Sequence, residues 1–138
     1  MTRRYVARRT GKRDLAFDGI LVADGRQGCP LDGDKHRRHT IRIWRVRVAS
    51  EEVDSYVVEA GYESAWDHEL TAYEALLCDS ASQVTDFLLE RQPLGFRGYP
   101  DGEQFARKQA RLQADLEAAY KALCTQVLNE AFGPEEIR

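Results

Sequence analysis

Few residues in this 138-residue chain stand at a spacing that chemistry would demand. The densest set of metal-ligating types is Cys29-x6-His36-x2-His39, with Asp32 and Asp34 between them. Zinc takes four well-placed ligands at recurring spacings, and this run matches none of them. An EF-hand reading fails as well, because Asp32-Gly33-Asp34 is followed by Lys35, His36 and two arginines instead of further oxygen ligands. The segment reads as a polar loop, and neither metal nor cofactor is expected. Asp67-His68-Glu69 supplies the groups of proton transfer. Neighbours on a strand point to opposite faces, however, so these three do not converge. Nucleophile-elbow, phosphate-loop and zinc-helix motifs are absent. No catalytic signature emerges, and an enzyme would need a site assembled from distant residues.

One loop has a composition suited to nucleic acid. Pro93-Leu94-Gly95-Phe96-Arg97-Gly98-Tyr99-Pro100 sets an arginine between two aromatics, groups that stack on bases. Arg97-Gly98-Tyr99 matches the opening of an RNA-binding strand motif, but Pro100 ends the match. Packing of Phe96 and Tyr99 on the core is the plainer expectation.

Charge is the strongest pattern. Residues 1–47 hold 13 Lys/Arg against 5 Asp/Glu, and residues 48–90 hold 11 Asp/Glu with no Lys or Arg at all. Residues 91–138 are balanced at 7 of each, so the chain carries −3 overall. Two readings follow. In the first, the blocks pair internally: a strand with Arg42, Arg45 and Arg47 lies beside one with Asp54 and Glu59, and opposite charges meet across the ladder. In the second, they form separate surfaces. An acidic face of Glu51, Glu52, Asp54, Glu59, Glu63, Asp67, Glu69 and Glu74 would dock a basic protein. A basic face of Arg3, Arg4, Arg8, Arg9, Lys12, Arg13, Arg37 and Arg38 would hold phosphates, aided by Phe96, Arg97 and Tyr99. Charge on the first strand also has a plain role in keeping an exposed edge soluble.

The elements that must position these residues are legible in part. Segments 5–9 and 15–23 read as strands around a turn with Gly11, and Gly19 suggests a bulge. Residues 24–39 contain Gly25, Gly28, Pro30 and Gly33 and read as a long surface loop. In 40–48, Ile41 and Ile43 share one face while Trp44, Val46 and Val48 share the other, which predicts two buried faces or a bulge. A strand over 56–62 follows. Residues 66–79 are compatible with helix, but a strand over 71–78 is favoured because Ser80-Ala81-Ser82-Gln83 has the spacing of a capping box just beyond. A short helix over 80–91 is predicted, ending before Pro93, and a long one over 102–132 with Asp101 at its start and Gly133-Pro134 as its stop. Phe105, Leu112, Leu116, Ala119, Leu123 and Val127 form its apolar stripe, interrupted by Gln109.

The expected architecture is a single α+β domain over 1–138: an antiparallel twisted sheet of four to five strands within residues 4–78, solvated on one face and covered on the other by the two helices. The long helix, roughly 45 Å at 1.5 Å per residue, exceeds what a small sheet covers, which suggests a homodimer through it. Three widely spaced cysteines, Cys29, Cys78 and Cys124, suit a reducing compartment and a core role. With no membrane-spanning run and no secretory h-region, a cytoplasmic protein is expected. The functional expectation is a non-enzymatic protein-interaction module, an inhibitor or accessory factor that docks through the acidic surface or the long helix. Nucleic-acid binding through the basic third is the alternative, and a small enzyme the third reading.

Overall fold

A computed structural model describes residues 2–28, 37–47, 54–66, 69–91 and 103–133, without the side chains of 103–106, 108 and 109. Five strands, β1 (Arg3–Ala7), β2 (Leu15–Gly28), β3 (Arg37–Val46), β4 (Ser55–Ser64) and β5 (Ala72–Cys78), form one antiparallel meander in chain order. Helices α1 (Ala81–Glu90) and α2 (Glu103–Phe132) follow. This is the α+β arrangement the sequence implied, with the uncertain segment before α1 a strand.

The turn between β1 and β2 uses Gly11 at φ 79°, a conformation that costs a residue with a Cβ. The β2–β3 pair is longer than expected. Residues 24–28 and 37–39 pair as strand, so the predicted surface loop shrinks from both ends. Glycines 25 and 28 are tolerated there for a packing reason. A Cβ on Gly25 would lie 2.7 Å from Leu123 Cδ1, so the bare backbone lets α2 lie close on the sheet. The register shift in β2 falls between Leu21 and Ala23, not at Gly19.

Both faces of β3 are buried. Ile41 and Ile43 join Val58, Ala60, Val84, Leu88, Leu123 and Val127 in the core beneath the helices. Trp44 joins Ala7, Phe17, Val57 and Ala75 on the opposite face. There Tyr5, Phe17 and Trp44 form an aromatic trio with centroids 5.1–6.1 Å apart. The expectation of one solvated face is thus corrected. The sheet curls until the β1–β2 turn reaches β5, where Thr10 N donates to the Tyr73 carbonyl and Tyr73 N to Thr10 Oγ1, each at 2.8 Å. Curling lets a strand pack its second face on its own sheet, which explains the phase slip at Ile43-Trp44.

Ser80 caps α1 as its spacing predicts, its hydroxyl accepting from Gln83 N at 3.2 Å. The Gln83 side chain reaches back one residue further, accepting from Asp79 N at 2.7 Å. At the end of α2, Gly133 at φ 74° donates to the Asn129 carbonyl at 2.8 Å. Leu112, Leu116, Ala119, Tyr120, Leu123, Cys124 and Val127 are all buried within the chain. The described part of the stripe is therefore covered by its own sheet and α1. Phe105, Gln109 and Asp101 lie outside the described side chains. Cys78 and Cys124 are free and buried, as core residues. No described helix is long and apolar enough to cross a membrane.

Candidate functional site

The charged blocks meet across β3 and β4. Antiparallel register sets Arg42 opposite Glu59 and Arg38 opposite Glu63. Glu59 is completely buried, and its carboxylate accepts five hydrogen bonds. Arg42 contributes Nε at 3.0 Å and Nη2 at 2.9 Å. Arg8, brought over by the curl, contributes its backbone N at 2.7 Å, Nε at 3.3 Å and Nη2 at 2.9 Å. Such fork-shaped pairing suits guanidinium to carboxylate. Desolvating the Glu59 carboxylate costs several kcal/mol, which the two partly exposed guanidiniums and the backbone amide offset while all of them stay in place.

The array continues along the strands. Glu63 accepts from Arg38 Nε at 2.7 Å and from the Tyr73 hydroxyl, with Arg8 Nη1 at 3.8 Å. The Arg8 guanidinium also lies 3.8 Å over the Tyr73 ring. Partial burial would raise the Glu63 carboxyl, but its bonds to Tyr73 and Arg38 outweigh burial and hold it below the usual range. Tyr73 is pushed up to about 12 by burial and by its bond to Glu63. The bond to Glu59 raises Arg8 above the already high arginine value, against the effect of burial.

Beyond β4, Glu69 folds back onto Arg37, whose Nη2 lies 2.7 Å from Oε2, with both side chains under 10% exposed. Tyr62 OH and Ser64 Oγ also donate to Glu69, at 2.7 and 3.0 Å. Burial disfavours the Glu69 carboxylate, yet its bonds to Arg37 and Tyr62 lower its pKa overall. Glu74 pairs with Arg91, and Asp54 with Arg45 and Arg47 at 3.8 and 3.6 Å.

These contacts relocate many residues expected on two surfaces. Glu59 and Glu69 are buried partners of arginine, not members of a free acidic face. Arg37, expected on a phosphate-binding face, is buried too. Arg4 pairs loosely with Asp18 at 3.5 Å, both largely exposed. Glu51, Glu52, Asp67, Phe96, Arg97 and Tyr99 lie outside the described residues, as do Cys29, Asp32, Asp34, His36 and His68. From the metal-ligand set His39 alone is described, and it is a buried β3 residue against Tyr62 and Tyr120.

One group of cations stays on the surface at the β1–β2 turn, while exposed acids such as Asp24, Asp79 and Asp86 elsewhere are likewise without an ion pair among the described residues. At the β1–β2 turn, Lys12 and Arg13 are exposed and Arg9 is half-buried, and none has an ion pair among the described residues. Asp14 Oδ1 accepts from the Arg9 backbone N at 3.0 Å, while Arg9 Nη1 donates to the Arg13 carbonyl at 3.5 Å. Arg8 and Arg38, 41% and 38% exposed, leave guanidinium edges in water beside this turn. A cleft of about 380 Å3 lies next to them, walled by Arg38, Glu63, Ser64, Ala65, Thr71 and Tyr73. The sequence offered no sign of Tyr73 and Thr10, whose roles come from the curl alone. Compared with protein-family profiles, curated proteins and solved structures, the chain matches none.

Proposed function

We propose that the protein binds nucleic-acid backbone through the tip of the β1–β2 hairpin. The observation that carries this reading is the unequal outcome of internal pairing. Every described acid from Asp54 to Glu74 has an arginine partner, whereas Arg9, Lys12 and Arg13 sit together at the β1–β2 turn with no ion pair among the described residues. The overall charge of −3 does not oppose this, because backbone binding responds to local field more than to net charge. Phosphate contacts of this kind fix position and read no sequence. The aromatic loop at Phe96-Arg97-Tyr99 is not needed for it. Docking of a basic protein on an acidic surface is the weaker reading, since Glu59, Glu63, Glu69 and Glu74 are already matched within the chain.

The test is fluorescence anisotropy with a labelled duplex and a labelled single strand across a salt series. A footprint of roughly three phosphates predicts a slope of about −2 to −3 in log K against log salt. Replacing Lys12→Glu and Arg13→Glu should abolish binding without unfolding the chain, because both side chains are exposed. Absence of binding at low salt, or binding indifferent to both changes, would end the proposal. Equal capture of polyglutamate would instead indicate an acidic protein as partner.

A further inference from the structure

The cleft of about 380 Å3 beside the β1–β2 turn has a wall that phosphate binding at the turn leaves unused. Its volume falls in the range that takes small organic molecules. Arg38, 38% exposed, stands in that wall. Glu63 lies opposite it in the β3–β4 register and accepts from Nε at 2.7 Å. That bond occupies one edge of the guanidinium and fixes its plane, while Nη1 and Nη2 make no hydrogen bond among the described residues. On the β2 side Arg38 is paired with Gly28, which has no side chain to cover it. A planar fork with two free donors is thus held in place within the cleft wall.

Charge decides what kind of group fits. Arg38 and Glu63 cancel within the cleft, so a phosphate there would meet a carboxylate as well as a cation. A neutral ring meets no such penalty. The other polar side chains of the wall are already engaged: Thr71 with the Ser64 backbone, Ser64 Oγ with Glu69, and the Tyr73 hydroxyl with Glu63. That leaves the Arg38 fork as the free donor, and two parallel donors match two neighbouring acceptors. Guanine presents such a pair at O6 and N7. Adenine has an amino donor in place of O6, and thymine has no N7. Cytosine offers O2 and N3, but its O2 lies beside the sugar, which the cleft would then have to admit as well.

We infer that the cleft takes an unpaired guanine of a single strand whose phosphates lie on the β1–β2 turn, with O6 and N7 accepting from the Arg38 fork. This rests on the proposed backbone binding and adds a base to it. Turn and cleft keep a fixed spacing, because Thr10 and Tyr73 are joined by two hydrogen bonds of 2.8 Å. The Arg8 guanidinium, 3.8 Å over the Tyr73 ring, spans the same junction. A guanine within a duplex stays in its stack, whereas a single strand can splay one base out into a recess.

Labelled thymidine hexamers carrying one dG, one dA or one dC would be compared by anisotropy at low salt, and GMP and AMP titrated into the full chain by amide chemical shifts. The dG strand should bind roughly tenfold tighter than the dA and dC strands. GMP should move the amides of Arg38 and Tyr73 at concentrations where AMP does not. Arg38→Lys keeps the charge but loses the fork, and should bring the dG strand to the level of the dA strand. Ala65→Leu adds bulk from an exposed position on the cleft wall, should do the same, and serves if Arg38→Lys disturbs the Glu63 cluster. Equal binding of the three strands with the expected salt slope would overturn the guanine site and leave backbone binding standing. A dG preference that survives both substitutions would overturn it too. If no strand binds, backbone binding falls and the nucleotides decide: equal shifts from GMP and AMP, or none from either, overturn the guanine site as well.

Discussion

Two buried charge clusters lie on opposite faces of the same sheet, and they are resolved differently. Around Glu59, two guanidiniums and a backbone amide surround one carboxylate, and its neighbour Glu63 is matched by Arg38 and Tyr73. Around Arg91, one half-exposed carboxylate and the Tyr120 oxygen face a buried guanidinium, with the His39 imidazole beyond Tyr120. The first cluster ties β1, β3 and β4 together and is complete. The second leaves Arg91 Nη2 without a hydrogen bond among the described residues. A fully satisfied buried network rigidifies a fold, whereas a buried polar group left unpaired is a cost the rest of the fold must offset.

The largest effect should come from breaking the saturated cluster. Glu59→Gln leaves Arg8 and Arg42 facing a neutral amide, and the loss should be about 3–5 kcal/mol in urea denaturation. A loss under about 1 kcal/mol would show that the water already reaching the two arginines suffices without the carboxylate, and the contrast between the clusters would fail.

A somewhat smaller effect is expected at the unsaturated cluster, as a pH dependence. Burial, helped by the nearby Arg91 charge and only weakly opposed by a backbone contact at Leu116, lowers His39 to about 4 from 6.5. The folded state therefore keeps His39 neutral while the unfolded chain takes up a proton. The sign is that stability is intact above pH 6.5 and falls as the pH drops towards 4, by about 3 kcal/mol for this group. His39→Phe should remove that portion, leaving only the slope due to carboxylates. Identical profiles for the two proteins between pH 6.5 and 4 would place His39 in contact with water.

The smallest effect sharpens the comparison from outside both clusters. Arg4 and Asp18 are each 66% exposed at 3.5 Å, so screening leaves their pair little energy. Arg4→Ala should change stability by less than about 0.5 kcal/mol in the same urea assay.

Much of the fold was legible. The Ser80 cap, the α2 stripe from Leu112 to Val127 and the alternation in β3 each depend on a short sequence interval, where one periodicity or one hydrogen bond decides. Residues 24–28 were misread as loop because Gly25 looks like a breaker, when it is a small residue under a helix. The site was less legible. The pairs Arg42–Glu59 and Arg38–Glu63 follow from charge once the register is known, since each strand carries its two charges four residues apart. Arg8, Tyr73 and Thr10 enter only because the sheet curls. Nothing near Arg91 or His39 in the sequence marks either as buried, since arginine and histidine are usually placed at the surface.

The sequence by itself determined the element types, their antiparallel order and the segregation of charge, because these depend on local periodicity and composition. Tertiary structure alone decided which charges remain. Closing the curl brought Arg8 to Glu59, the fold-back beyond β4 brought Glu69 to Arg37, and packing of α1 on α2 buried Arg91 beside Tyr120. Coulomb energy falls with distance and rises steeply in a dry interior, so two opposite charges far apart in the chain become a pair only when the fold places them in contact.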